Sequence, residues 1–326
     1  MNNPAMETLR RYPLIFNPKA RSQKGGRVLR FLKEQADRFA VFATTHAGEA
    51  RKLAAHFAAQ GEPVVIAAGG DGTLNEVVAG LAGSTTVLGI LPAGTMNVFA
   101  RELGIPFASL EHAFAVIERG FVREVDLFAA NGAPFVQMAG VGFDASVIEE
   151  TSWQAKKMLG PLAYLLAAVK VLGAKPPAME VVCADGRRAE GVAVIVGNGA
   201  LYGGPFRFFR NADNRDSKLE VLVYKEAGYR LVLDSLRGLA CGGIDLLDST
   251  CYFQTGDLTV RADREVPVEV DGELCGRFAE VRFAETAHCL RVIAPETPPA
   301  GRLASNWMSL LPWLRRQPAI QTTRRL

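Results

Sequence analysis

Two short runs in this chain carry residue types and spacings suited to holding an anion. In the first, Val64 to Leu81, an apolar stretch runs into Gly69-Gly70-Asp71-Gly72-Thr73. Leu74, Val77, Val78 and Leu81 then recur at helical spacing. Glycines let the backbone approach a ligand closely. The first N–H groups of the helix lack intrahelical partners, so the corner offers an anion site. Thr73 and Glu76 stand at capping-box spacing, which predicts the helix start. No Lys-Ser or Lys-Thr pair follows, so the loop is not a Walker A cradle. An acid at Asp71 would repel a bare phosphate unless a divalent cation or a protonatable hydroxyl lay between them. That points to Mg²⁺-nucleotide chemistry. The plain alternative is a strand–turn–helix corner with Asp71 as N-cap.

The second run, Leu88 to Leu103, repeats the plan of strand, glycine turn (Pro92-Ala93-Gly94-Thr95) and helix, with Thr95 as the expected cap. Alone it is a turn in which proline pre-sets φ. Two such turns at the carboxyl ends of parallel strands would line one crevice. Farther along, Asp185-Gly186 and Asp271-Gly272 read as hairpin turns.

Taken together, GGDGTLNEV and LPAGTMNVFAREL resemble the catalytic domain of the diacylglycerol kinase family, which includes bacterial soluble lipid kinases and sphingosine and ceramide kinases. The likeness runs from Asn17-Pro18 to about Ala294. It takes in Thr44 with Gly48-Glu49-Ala50, Gly140 to Ala145, Gly197-Asn198-Gly199 with Gly203-Gly204, and Asp271-Gly272-Glu273. It implies an α/β nucleotide domain, similar to that of NAD kinases and phosphofructokinases, then an antiparallel β-sandwich domain, with ATP in the cleft between them. Carried over by position, ATP would be met by Asn17, Thr44, Gly70, Asp71, Gly72, Thr73, Leu74, Asn75, Glu76, Gly94 and Thr95. Lys19-Ala20-Arg21 departs from the family pattern, which has a small residue and glycine there.

Glu273 matches the family's general base. A carboxylate within hydrogen-bond reach is what deprotonation of an attacking hydroxyl requires. The same residue also reads as a solvated strand start after a hairpin turn. Asp71 is the competing candidate for base, or a holder of Mg²⁺ through water. Ala212 to Glu220 corresponds to a family loop that binds a structural Mg²⁺, with Ser217 in place of glycine and Glu220 in place of aspartate. By position the ligands are the Asp216 side chain and the carbonyls of Asp213 and Lys218, hard oxygens that suit Mg²⁺. An acidic surface loop is the other reading.

The elements that must position these residues fall into two styles. Strand patterns at Pro13–Asn17, Arg38–Thr44, Pro63–Ala68 and Thr86–Leu91 alternate with helical patterns at Gly26–Ala40, Glu49–Gln60, Leu74–Leu81 and Met96–Leu103. This predicts a parallel sheet covered by helices. From Asp126 onward short strand patterns dominate, with helical interludes at Trp153–Leu172 and Gly228–Cys241. The expected division is an α/β domain over 1–125, a β-sandwich domain over 126–294 and a tail over 295–326. A last strand near 290–294 could return to the first domain.

Composition excludes other classes. The 326 residues carry a net charge of +3, and 49% are hydrophobic, enough for a sizeable core. Five cysteines without CxxC spacing support neither a disulfide framework nor a zinc site, and a reducing cytoplasm is the expected location. No apolar run is long enough for a signal peptide or a bilayer span. Gly301 to Leu326 carries five Arg and no acid, so the body is mildly acidic. That excludes a nucleic-acid binder with a basic stripe on the fold. Trp307, Trp313 and Arg315-Arg316 in the tail suit peripheral contact with a membrane holding the lipid substrate. The resulting expectation is an ATP- and Mg²⁺-dependent lipid kinase acting on diacylglycerol or a similar lipid. An NAD kinase-like phosphotransferase and a catalytically silent nucleotide- or lipid-binding regulator are the rivals.

Overall fold

The computed structural model describes residues 11–18, 25–142, 145–146, 175–204, 206–227 and 249–296. The first part comprises β1 (Tyr12–Phe16), α1 (Gly25–Glu34), β2 (Phe39–Ala43), α2 (Glu49–Ala59), β3 (Val64–Gly69), α3 (Asp71–Leu81), β4 (Val87–Pro92), α4 (Val98–Glu102), α5 (Leu110–Arg119) and β5 (Val122–Val125). The apolar runs in β1, β3 and β4 are buried almost end to end, as strands of a covered parallel sheet must be. The chain goes from β1 to β2 on one side, then returns to β3 on the other, giving the order β2-β1-β3-β4. That reversal opens a crevice at the carboxyl ends of β1 and β3. Helices α2 and α3 approach closely because Gly80 has no side chain. A Cβ there would lie 2.4 Å from the Arg51 carbonyl oxygen.

The second part comprises β6 (Phe128–Ala130), β7 (Ala133–Phe135), β8 (Met138–Val141), β9 (Met179–Cys183), β10 (Arg188–Gly191), β11 (Ala193–Gly197), β12 (Leu201–Tyr202), β13 (Phe206–Arg207), β14 (Leu219–Tyr224), β15 (Thr250–Thr255), β16 (Asp257–Val270) and β17 (Glu273–Glu285). The main path β15-β14-β11-β8-β16-β17-β6-β7 is antiparallel throughout, with β9 pairing to β16 and β10. It has its own core, in which Phe128, Phe135, Val221 and Phe283 are fully enclosed. The final strand, β18 (Leu290–Ile293), lies in the first sheet, parallel to β4 and antiparallel to β5.

The fold class is therefore an α/β domain with an antiparallel β-sandwich domain, and the differences from expectation are local. Leu258–Ala262 and Val266–Val270 are one strand, β16, whose register against β17 shifts between Arg261 and Val266. The polar Asp263-Arg264-Glu265 stretch falls at that irregularity, which is why the apolar pattern breaks there. Helix α5 lies outside the periodic patterns named above, although Ser109 caps its start and Gly120 (φ 68°) ends it. The expected helices over 153–172 and 228–241, the Lys19-Ala20-Arg21 stretch and the tail from Gly301 lie outside the described residues. Among the described residues no helix is long and apolar enough to cross a membrane.

Candidate functional site

The first glycine corner starts its helix earlier than expected. Helix α3 begins at Asp71, and Gly70 is an extended N-cap with no side-chain cap. The Thr73/Glu76 capping box does not form, because Thr73 already lies inside the first turn. There it is buried against Gly69, where a Cβ would sit 2.6 Å from the Thr73 Cβ. Glu76 instead faces α2, on the same side of α3 as Gly80. Its carboxylate accepts the N–H of Gly48 (2.8 Å) and of Ala50 (3.0 Å). It thereby caps α2, whose own N-cap residue, Gly48 (φ 81°), has no side chain to offer. Thr44, buried just past β2, is tied to the end of β1 through its N–H to the Phe16 carbonyl (2.8 Å).

The second corner is held from outside. Helix α4 begins at Val98, and Thr95 is exposed and does not cap it. The cap is Asp71, whose two oxygens accept the N–H groups of Val98 (2.7 Å) and Asn97 (2.9 Å). Asn97 takes a left-handed backbone (φ 49°), is buried, and brackets Gly94 with its amide. Its Oδ1 accepts the Gly94 N–H (2.9 Å) and its Nδ2 donates to the Gly94 carbonyl (3.0 Å). The two corners touch backbone to backbone, since a Cβ on Gly94 would lie 2.5 Å from the Gly70 Cα. Burial pushes the Asp71 carboxyl above its ordinary pKa. The Val98 and Asn97 N–H groups and the Arg101 charge oppose that shift.

A third turn arrives from the sandwich. Asp271 (φ 48°) and Gly272 (φ 85°) form the two-residue hairpin turn between β16 and β17, a geometry in which both residues need positive φ. The Asp271 carboxylate accepts three main-chain N–H groups, from Val136, Gln137 and Met138, each at 2.9 Å. Burial pushes its pKa up to about 6, against those N–H groups, and the Asp71 charge adds to the rise. The Asp271 carbonyl accepts from Asn75 Nδ2 on α3 at 2.9 Å. Glu273, the next residue but one, is exposed. Its Oε1 lies 2.7 Å from the position a Cβ on Gly72 would occupy.

The structure thus gathers Gly70, Asp71, Gly72, Thr73, Asn75, Gly94, Thr95 and Glu273 in one place. Asn17 and Thr44 stand at the carboxyl ends of β1 and β2 on the same edge of the sheet. Leu74 belongs to the core, and its N–H is bonded to the Gly70 carbonyl. Asn97 was not singled out in the sequence, although it stands inside the quoted turn. The carboxylate of Asp271 was read only as a turn residue.

The 213–218 loop keeps its turn despite the missing glycine, since Ser217 itself adopts φ 55°. The Ser217 N–H bonds Asp126 (2.7 Å), and the Asp216 carboxylate accepts the Lys218 N–H (3.1 Å). Asp213 pairs with Arg215 (3.2 Å). The Asp126 carboxyl is pushed up by burial, with Asp216 and Asp213 adding negative charge. Among the described residues no three His, Cys, Asp or Glu side chains form a metal cage. The loop's donors, one carboxylate and main-chain carbonyls, are still hard oxygens, the type a divalent cation takes.

Comparison with known proteins agrees with this architecture. A model of the diacylglycerol kinase catalytic domain matches residues 11–130, and one of the YegS C-terminal NAD kinase beta sandwich-like domain matches residues 137–294. The chain is 34% identical over 278 residues to a Pseudomonas aeruginosa (strain UCBPP-PA14) protein named "Probable lipid kinase YegS-like", covering 82% of this chain and 88% of that one. It is 29% identical over 300 residues to the diacylglycerol kinase of Bacillus subtilis, covering 88% and 97%. A solved Bacillus anthracis str. Sterne protein described as a "putative diacylglycerol kinase" superposes with a TM-score of 0.72 at 27% identity, over 88% of this chain and 97% of that one. An NAD kinase from Archaeoglobus fulgidus, solved with ATP, shares the fold at a TM-score of 0.50 and 12% identity, over 88% and 94%.

Proposed function

Because this chain belongs to the family of diacylglycerol kinases and YegS-like lipid kinases, we propose that it transfers the γ-phosphoryl group of ATP to the hydroxyl of diacylglycerol or a similar lipid. The observation that carries the reading is the place of Glu273. A carboxylate stands against Gly72, at the first turn of a helix whose leading N–H groups favour phosphate.

In this reading the main-chain N–H groups of Gly72 and Thr73, together with the Gly94-Thr95 turn, hold the triphosphate. Thr44 and Asn17 meet the rest of the nucleotide at the ends of β2 and β1. Glu273 takes the proton of the lipid hydroxyl as the new O–P bond forms and the bond to the ADP oxygen breaks. Asp71 already serves two N–H groups of the second corner, which favours Glu273 over it as the base. Mg²⁺ carried with ATP would neutralise phosphate charge. A structural Mg²⁺ would be held by the Asp216 side chain and the carbonyls of Asp213 and Lys218. The basic, Trp-containing tail over 301–326 would help the enzyme adsorb to the bilayer that contains its substrate.

Labelled ATP offered with a panel of lipid acceptors in mixed micelles, and separately with NAD, tests the reading. A phosphorylated lipid is expected. Label on NAD, or ATP consumption with no lipid product, would overturn it. Glu273→Gln should lower kcat by about 10²–10⁴-fold with the ATP KM nearly unchanged. Full turnover by that variant would remove Glu273 from the mechanism.

A further inference from the structure

The two domains are also joined by a pair of side chains, Glu102 at the end of the second glycine-corner run and Gln137 beyond it. Glu102 ends α4, and its Oε2 accepts both the Gln137 side-chain N–H (2.8 Å) and the Leu201 main-chain N–H (2.8 Å). The same Gln137 nitrogen also donates to the Leu201 carbonyl (2.9 Å). Gln137 is buried, just ahead of β8. Gly199 makes room for it, since a Cβ there would lie 2.3 Å from Gln137 Nε2. The amide has one workable orientation. Turned over, its oxygen would face the Glu102 carboxylate and the Leu201 carbonyl, two acceptors.

These contacts close a ring. Asp71 holds the N-terminus of α4, and Glu102 at the other end holds Gln137. The main-chain N–H groups of Val136, Gln137 and Met138 hold the Asp271 carboxylate. The Asp271 carbonyl is held by Asn75, one turn beyond Asp71 on α3. The ring crosses between the domains twice, and Glu273 hangs from it two residues past Asp271. The Asn75 contact, the two chain crossings and Val136, which is buried in the core of the first domain, already hold the sandwich near the corners. The charge-assisted contact at the far end of a short helix adds a restraint on the angle between the domains.

We propose that Glu102 and Gln137 are positioning residues that fix Glu273 against the Gly72 corner by locking the angle between the domains. The kinetic part of the proposal rests on the kinase reading above, and the structural part does not. A displacement of about 1 Å in a reacting group can cost about 10²-fold in rate, so the ring acts on turnover rather than on nucleotide binding.

The test uses the full chain carrying Glu102→Ala, Gln137→Glu, which sets two carboxylates against each other, and Glu102→Gln, which keeps an acceptor oxygen. Glu102→Ala and Gln137→Glu should lower kcat about 10- to 100-fold with little change in the ATP KM, while Glu102→Gln stays close to the parent. Hydrogen exchange supplies the readout that does not depend on activity. In Glu102→Ala the amides of Val136 to Met138 and of Gly272 should exchange faster, while those of β1 and β3 keep their protection. Unchanged kcat, or faster exchange spread evenly over both domains, would overturn the proposal. If the parent protein phosphorylates no lipid, the kinase reading fails by itself and the exchange pattern alone judges the ring; unchanged protection at Val136 to Met138 would then refute it. Glu102→Asp, which keeps the charge but withdraws it by one methylene, should show the same pattern more weakly if the alanine variant does not fold.

Discussion

The two glycine corners look alike in sequence and are built in opposite ways. The corner at Gly69–Thr73 gives support outward. Asp71 caps α4, Asn75 holds the hairpin carrying Glu273, and Glu76 caps α2. The corner at Pro92–Asn97 receives support, from Asp71 across the crevice and from Asn97 within its own turn. The difference teaches how a polar signature can be read. The acidic and amide side chains after the first glycines bond main-chain groups of neighbouring elements, so in the proposed reading the phosphates would be left to main-chain N–H groups of the corner.

If that asymmetry is right, removing the giver should do the most damage. Asp71→Ala leaves two N–H groups of α4 without their acceptor and should cost about 2–4 kcal/mol in urea unfolding. It should also lower kcat/KM steeply, and an unchanged midpoint would mean that α4 does not need its cap. Next, Gly94→Ala should destabilise by about 1–3 kcal/mol, and by more than Gly70→Ala. A Cβ on Gly94 would meet backbone at 2.5 Å, whereas one on Gly70 stays 3.2 Å away. Equal melting temperatures for the two variants would break the comparison. Glu76→Ala removes the cap of α2 and should cost about 0.5–2 kcal/mol. Because it loosens the segment after Thr44, it should raise the ATP KM more than it lowers kcat.

The smallest expected effect is a slope. The Asp271 carboxyl is raised to about 6, so between the ordinary carboxylate range and pH 6 the folded protein holds this proton more tightly than the unfolded chain. Its contribution is therefore greatest in acid, falls as pH rises through that window, and is level above it. Melting temperatures of Asp271→Asn should decline less between pH 4 and pH 6 than those of the parent. An identical slope would show that Asp271 does not titrate there.

Much of this was legible in the chain. Continuous apolar runs leading into glycine-bearing turns gave β3 and β4, and an Asp-Gly pair gave the hairpin before Glu273, because period and turn chemistry are local signals. What stayed hidden depends on distant partners. The spacing of Thr73 and Glu76 fits a capping box, yet Glu76 is drawn to Gly48 and Ala50, whose nearness follows from how closely α2 packs on α3 at Gly80. Thr95 reads as a cap only until Asp71 supplies a better one from another element. Glu102 stands in the second quoted run, but its pairing with Gln137 was hidden, since 35 residues separate them and only the docking of the domains brings them together. Ser217 shows the reverse case: a non-glycine residue takes the left-handed backbone (φ 55°) where the family resemblance leads one to expect glycine.

The return of β18 to the first sheet has a consequence for how the protein is made. On the ribosome, β4 emerges with one side lacking its neighbour, and roughly 200 further residues must follow before β18 can fill the gap. At about 5–20 residues per second that is about 10–40 s during which a buried, apolar strand has an open flank. The sandwich is thus a passenger threaded between two adjacent strands of the sheet it completes. Nascent chains released before residue 290 should be the ones that chaperones retain.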